Sequence, residues 1–392
     1  DLGLFDEDED WYRAQEVEII GSPKHRELAR KASEESIVLL KNTGILPISD
    51  TSTKLAVIGP NAVNRVSQLG DWGIRFNFGK QDYEMVEDHS ETYISVLDGI
   101  KAQYSNVSYH YGCAINTEEE DIDTAVKVAA DCDVIIAVIG DNLGLNGEIK
   151  DRATLDLTGR QLDLLKALRK LNKPLVAILI TGKPLILNWL DDHVDAIVET
   201  FNPGLEGGNA IANILSGKVN PSGKLTMSFP RHVGQLPVYY NQIMGWHGNS
   251  NGTGDYIDMT AEPLYPFGFG LSYSSYEYSN LKLLTQHPTI TSDIDIEITV
   301  KNTGKVDGKE IVQVYVNDVY SSATTPKKVL IGYKKLALPK GEERQVRFTL
   351  DNKKFSFINR NLERVVEPGR FILMVGPSSL DDNLLKIEFD LE

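Results

Sequence analysis

The sequence has little sulfur, no long apolar run and a shortage of positive charge. Its two cysteines, Cys113 and Cys132, are too few for a disulfide framework or a four-cysteine zinc site. Both lie next to predicted strands and read as buried free thiols. No apolar stretch reaches the ~18 residues that a membrane helix needs, so no membrane partner is expected. The seven histidines are scattered without metal-ligand spacing. The one glycine-rich turn, "NPGLEGGNA" at 202–210, lacks the spacing of a dinucleotide or phosphate loop and reads as a packing turn at a helix start. Neither a metal nor a cofactor is therefore expected. With 56 acidic against 40 basic residues the formal net charge is −16, and no basic run interrupts it. A phosphate backbone would be repelled, which argues against nucleic acid and leaves room for a neutral ligand such as a sugar.

What is present divides into blocks. The first 25 residues, opening "DLGLFDEDEDW", are acidic and aromatic without a clear period and read as a linker. They resemble neither a signal peptide nor an initiator-methionine start, so a chain joined part-way through something longer is expected. Ser22-Pro23 then signals a helix start, and "KHRELARKASEESIVLLKN" reads as its continuation, with Leu28, Ala32 and Leu39 on one face.

Over residues 26–225 short apolar runs alternate with helical stretches. "KLAVIG" (54–59), "VSYHYG" (107–112), "DVIIAVIG" (133–140), "PLVAILITG" (174–182) and "DAIVETF" (195–201) read as strands apolar on both faces. That pattern predicts an α/β domain, a parallel sheet with helices on both sides. Residues 226–275 are rich in Gly, Pro, Asn and Tyr without a sustained period, an irregular connecting segment of the kind that is functional or wraps another domain. From 276 to 392 the period is two, as in "DIDIEITVKNTG", "EIVQVYVND", "ERQVRFTLD" and "RFILMVG", with turn signals between. An all-β sandwich of the immunoglobulin or fibronectin type is predicted there.

Ligands of open parallel sheets bind outside the carboxyl ends of the strands. Two loops leave that edge. The one after 54–59 carries Asp71, Trp72 and Arg75; the one after 133–140 reads "GLNGEIKDRATLDL" at 144–157. Trp72 reads either as a stacking surface for a sugar ring or as a core residue. Glu148 reads either as a solvated loop carboxylate or as a general acid, and Asp151 and Arg152 could fix its loop by pairing with each other or by Arg152 capping a carbonyl. Glycoside hydrolysis generally needs a second carboxylate, and nothing in the sequence positions Asp71 against Glu148.

The stretches "LARKASEESIVLLKNTGILPI", "LAVIGPNA", "LGDW", "DRATLDLTGRQ", "FNPGLEGGNAIANILSGKVNPSGKLTMSFPR", "PLYPFGFGLSYSSYEYSNL" and "VKNTGKVDGKEIVQVYV" occur in this order from about residue 24 onward. In them the chain resembles the C-terminal portion of glycoside hydrolase family 3 β-glucosidases. The resemblance implies an α/β sandwich domain followed by a fibronectin-III-like domain, both normally preceded by a (β/α)8 barrel. It also implies a retaining exo-β-glucosidase acting on β-linked glucosides and cello-oligosaccharides, with an aspartate nucleophile on the barrel.

The family's acid/base glutamate stands three residues before an Asp-Arg pair. Glu148, Asp151 and Arg152 match that spacing, although Ile149 and Lys150 differ from the Gly-aromatic pair often found between them. Trp72 and Arg75 inherit a substrate-contact role by position. Asp71 sits in the wrong domain and is rejected as nucleophile. The barrel, its nucleophile and its Lys-His substrate motif have no counterpart in these residues, so the isolated chain is expected to be inactive. Other exo-β-glycosidase activities, β-xylosidase among them, and a non-catalytic carbohydrate-binding or assembly module remain open. A homo-oligomer is compatible with this reading, and both extracellular or periplasmic and cytoplasmic locations stay open.

Overall fold

The computed structural model describes residues 21–70, 92–243 and 256–392. Helix α1 (Pro23–Ser36) starts as the sequence predicts: Pro23 opens its first turn and the Ser22 hydroxyl accepts a hydrogen bond from the His25 backbone N–H. It stops earlier than the sequence reading placed it. Ile37, Val38, Leu39 and Leu40 are all at most 2% exposed, and Val38–Asn42 form strand β1. Four consecutive buried apolar residues suit a strand covered on both faces, whereas a surface helix needs polar positions between them. Leu28, read as part of the helix's apolar face, is 66% exposed.

Five parallel strands follow: β2 (Leu55–Ile58), β3 (Val107–His110), β4 (Val134–Gly140), β5 (Leu175–Ile180) and β6 (Ala196–Glu199). With β1 the sheet order is β1-β6-β5-β4-β2-β3, and β1 pairs antiparallel to β6 at the edge. Side chains alternate between two cores. In β4, Ile135, Ala137 and Ile139 face one, while Val134, Ile136 and Val138 face the other. Helices α3 (Ile122–Ala130) and α4 (Gln161–Arg169) cover the first face through Ala125, Ala129, Leu164 and Leu168. Helices α2 (Val96–Lys101) and α6 (Gly207–Ser216) cover the second through Val96, Ile100, Ile211 and Leu215. The short helix α5 (Asn188–His193) lies between β5 and β6 in sequence and adds Leu190 to the first core. Each fully buried aliphatic side chain stabilises the layers by ~1.5–3 kcal/mol.

The C-terminal part is a sandwich of two antiparallel sheets. One holds β7 (Tyr276–Leu283), β8 (Ile294–Asn302) and β11 (Glu343–Leu350), with β8 central. The other holds β9 (Gly308–Asp318), β10 (Val329–Leu338), β14 (Gly369–Gly376) and β15 (Leu385–Leu391) in the order β10-β9-β14-β15. A small ladder of β12 (Phe357–Ile358) and β13 (Arg364–Val365) lies beside them. Ile296, Ile298, Val314, Phe348, Phe371 and Leu373 fill the space between the sheets. Of the strands in the two main sheets, the sequence reading names β8, β9, β11 and β14 but not β7, β10 or β15, and these last three are sheet edges. An edge strand needs no continuous apolar face, and β10 exposes Tyr333, Lys334 and Lys335.

Two glycines set where the parallel strands leave the sheet. Gly59 after β2 has φ +130°, and Gly140 at the end of β4 has φ +128°. A Cβ at Gly59 would lie 2.2 Å from the Val138 carbonyl oxygen, and one at Gly140 2.1 Å from the Ile180 carbonyl oxygen. Each strand thus turns directly over its neighbour's backbone, which only glycine permits. Gly140→Ala combines positive φ with a backbone clash and is expected to cost about 3 kcal/mol or more in urea unfolding. A loss under about 1 kcal/mol would show that β5 gives way instead.

Candidate functional site

The loops after β2, β4, β5 and β6 all emerge at one edge of the sheet, as parallel strands require. At the exit of β4 the chain is closed by Gln161, the first residue of α4. Its Nε2 donates to the Gly140 carbonyl at 3.0 Å and the Thr158 carbonyl at 3.1 Å, and its Oε1 accepts from the Gly140 N–H at 2.8 Å. One buried amide therefore ties both ends of the 141–160 loop together. Asp141, the next residue, is 2% exposed, and its backbone carbonyl accepts from Asn61 Nδ2 at 3.0 Å. Its Oδ1 accepts from Arg152 Nη1 at 3.0 Å, and Arg152 Nη2 donates to the Asp156 carbonyl at 2.6 Å. Burial raises the Asp141 pKa, against the opposing charges of Arg152 and Lys183.

This pair brings residue 152 back to the start of the loop, and Glu148 stands exposed between the two ends of that tie. Its neighbours have unusual backbones: Gly147 has φ +127° and Ile149 φ +59°, and the Ile149 side chain is 91% exposed. From the turn after β5, Lys183 Nζ donates to the Leu145 carbonyl at 2.8 Å and the Lys150 carbonyl at 3.2 Å. Asn146 packs on Gly182, where a Cβ would sit 1.7 Å from the Asn146 Oδ1.

The exit of β6 supplies a second buried carboxyl. Glu199 is fully buried, and its Oε1 accepts from Thr181 Oγ1 at 2.9 Å and from the Phe201 N–H at 2.8 Å. Burial pushes its pKa up to about 8, and the negative charge of Asp141 adds to the effect. Glu199 therefore keeps its proton to a higher pH than an exposed carboxyl does. Beyond it, Asn202 Nδ2 donates to the Ser67 carbonyl at 3.0 Å, and the Gly204 N–H donates to the Gln68 carbonyl at 2.8 Å. These bonds join the β6 exit to the loop after β2.

Of the residues singled out in the sequence, Glu148, Asp151 and Arg152 share one loop at the carboxyl edge. Asp151 is exposed, and the ion pair of Arg152 goes to Asp141 rather than to its neighbour. The Arg152-to-carbonyl contact weighed in the sequence is present as well, to Asp156. Trp72 and Arg75, together with Asp71, lie outside the described residues. Sequence reasoning missed Asp141, Lys183 and Glu199. A signal existed for the two carboxylates: each ends or directly follows an all-apolar strand, in "AVIGD" and "AIVE". The arrangement presents an exposed carboxyl on a backbone held on both sides by Lys183, which suits proton exchange with a ligand lying across this edge.

The buried Glu199 carries a pH signature. Well below its ordinary pKa of 4.5 it is protonated in both folded and unfolded chains. Between that value and about 8 the unfolded chain releases the proton while the folded chain keeps it. Stability attributable to this group therefore falls as pH rises across that window, by up to ~1.4 kcal/mol per unit. Glu199→Gln, neutral throughout, is expected to flatten the dependence of the urea midpoint on pH between 5 and 8. Equal slopes in the two proteins would show that Glu199 is ionised in the fold.

Known proteins share the two domains. The sequence model of the glycosyl hydrolase family 3 C-terminal domain matches residues 37–273, and that of the fibronectin type III-like domain matches residues 310–379. A β-xylosidase of Formosa agariphila is 38% identical over 100% of this chain and 53% of its own length. A periplasmic β-glucosidase of Salmonella typhimurium is 36% identical over 97% of this chain and 52% of its own length. Among solved structures, the β-glucosidase of Listeria innocua in complex with glucose superposes with a TM-score of 0.83 at 34% identity, covering 94% of this chain and 50% of that one. An intestinal-bacterial β-glucosidase involved in saponin metabolism superposes at 0.89 and 33% identity, covering 97% of this chain and 56% of that one. The chain thus spans about half the length of the relatives it matches. An α/β sheet, a fibronectin-like sandwich and these matches together make the chain a member of glycoside hydrolase family 3.

Proposed function

We propose that these residues form the acid/base-bearing part of a retaining exo-β-glucosidase, working with a (β/α)8 barrel that carries the aspartate nucleophile. The observation that supports this most is the setting of Glu148, exposed on a loop held at the carboxyl edge by Lys183 and by the Asp141–Arg152 pair. The Glu-x-x-Asp-Arg spacing of the family's acid/base loop agrees with it. The substrates are terminal, non-reducing β-D-glucosyl residues of glucosides and cello-oligosaccharides.

In the first step the Glu148 carboxyl donates its proton to the glycosidic oxygen as the aspartate attacks the anomeric carbon, so the aglycone leaves neutral. In the second step the Glu148 carboxylate takes a proton from water as that water attacks the glycosyl-aspartate. Configuration at the anomeric carbon is inverted twice and so retained. The carboxyl is restored to its acid form at the end of each cycle. Trp72 and Arg75 keep their proposed sugar-contact role.

β-Xylosidase activity is the second reading, favoured by the likeness to the Formosa agariphila protein. Comparing kcat/KM on 4-nitrophenyl β-glucoside and β-xyloside decides between the two sugars. The 392-residue chain alone is expected to hydrolyse neither. In the barrel-containing protein, Glu148→Gln is expected to lower kcat/KM on cellobiose by about 10²–10⁴-fold. On 2,4-dinitrophenyl β-glucoside, whose leaving group needs no proton, the loss is expected to be far smaller. Cellobiose activity within a few-fold of the unaltered protein would remove Glu148 from the mechanism.

A further inference from the structure

The tip that carries Glu148 is bracketed by a single cation. Lys183 Nζ donates to the carbonyl of Leu145, three residues before Glu148, and to that of Lys150, two residues after it. The two acceptors converge on one ammonium from opposite ends of a six-residue stretch. Between them lie Gly147 at φ +127° and Ile149 at φ +59°. A β-branched residue at positive φ persists only where its surroundings over-determine the backbone. Ile149 is 91% exposed, so its own side-chain packing does not supply that constraint. Lys183 sits just after β5, a strand whose residues are at most 1% exposed, and its base is therefore a fixed point of the sheet.

We propose that Lys183 is a positioning residue for the acid/base step: its ammonium gathers the Leu145 and Lys150 carbonyls and so sets where the Glu148 carboxyl stands. The inference rests on the proposed role of Glu148. It adds that the loop's placement comes from a different strand than the one that carries it. An ammonium suits the task because its three donors leave from one point and can serve both carbonyls at once. The guanidinium of an arginine also offers several donors, and methionine matches the length of lysine with none. Asp141, held by Arg152 on the other side of the loop, feels the Lys183 charge and balances it.

The test is made in the barrel-containing protein with cellobiose and 2,4-dinitrophenyl β-glucoside. Lys183→Met is expected to lower kcat/KM on cellobiose about 10- to 100-fold but on the activated glucoside under about 3-fold, since only the first needs a well-placed acid. Lys183→Arg is expected to restore cellobiose turnover to within about 5-fold, and in a Glu148→Ala background Lys183→Met is expected to add under about 2-fold. Equal losses on both substrates, or full additivity with Glu148→Ala, would overturn the inference and leave Lys183 a purely structural residue. Should the methionine variant not fold, Lys183→Gln, with a shorter single amide donor, is read for the same selectivity between substrates. The role of Glu148 is read separately from Glu148→Ala alone. If that variant loses no selectivity between the two substrates, the acid/base reading fails and takes the inference with it. If it does, and Lys183→Met does not, only the inference fails.

Discussion

A buried ion pair decides where the loop after β4 can go. Asp141 has a side chain 2% exposed and that of Arg152 is 11% exposed. Two charges so far from water are tolerable only together, and removing one partner typically costs ~3–5 kcal/mol because the other is stranded. The chain between them, eleven positions from one partner to the other, therefore cannot drift from the sheet edge without a large penalty. Gln161 closes the loop's base, the Asp141–Arg152 pair closes its middle, and Lys183 gathers its tip. Between the two carbonyls that Lys183 gathers lies the short segment with Glu148.

The rest of the molecule keeps that edge rigid. The β5 and β6 exits contribute Thr181, Glu199 and Asn202, and their hydrogen bonds link neighbouring loops. The fibronectin-like sandwich braces the α/β domain from elsewhere. Lys224 forms a buried ion pair with Glu310 of β9 at 3.3 Å, and Tyr278 donates to the same carboxylate at 2.8 Å. Gln313 Nε2 donates to the Gly268 and Pro377 carbonyls at 3.0 and 2.6 Å, so β9 holds the irregular connecting segment in place. Tyr240 from that segment stacks on Phe267 and meets Tyr315 edge-on. None of these residues lies on the loops around Glu148. Their part is to seal the seam between two folded layers.

The sequence disclosed the elements whose pattern is local. The five parallel strands declared themselves as short apolar runs, and each run contains the strand found in the structure. The end of α1 is easily misjudged because the helical stripe of Leu28 and Ala32 extends in register to Leu39, although the unbroken apolar run "IVLL" already marks the strand that pairs with β6. The edge strand β10 lacks the alternation that marks a central strand, whereas β15 carries it in "LKIEFDL" and could have been read from the sequence. For the site, Glu148 and Arg152 were visible through their spacing. Asp141 carried only the weaker signal of following an all-apolar strand, and Lys183 carried none, since its partners lie more than 30 residues away in sequence. Which carboxylate an arginine chooses depends on depth in the fold, and burial favours Asp141 over the adjacent, exposed Asp151.

The central claim is that Glu148 exchanges the proton in both halves of a double displacement. Its most direct test is the reaction of Glu148→Ala, in the barrel-containing protein, with an activated aryl β-glucoside and sodium azide. Azide is a nucleophile that needs no base and fits the space the carboxyl vacates. The account predicts that azide accelerates turnover and that the product is the β-glucosyl azide, identified by its anomeric proton coupling. No acceleration, or a product of α configuration, would contradict it.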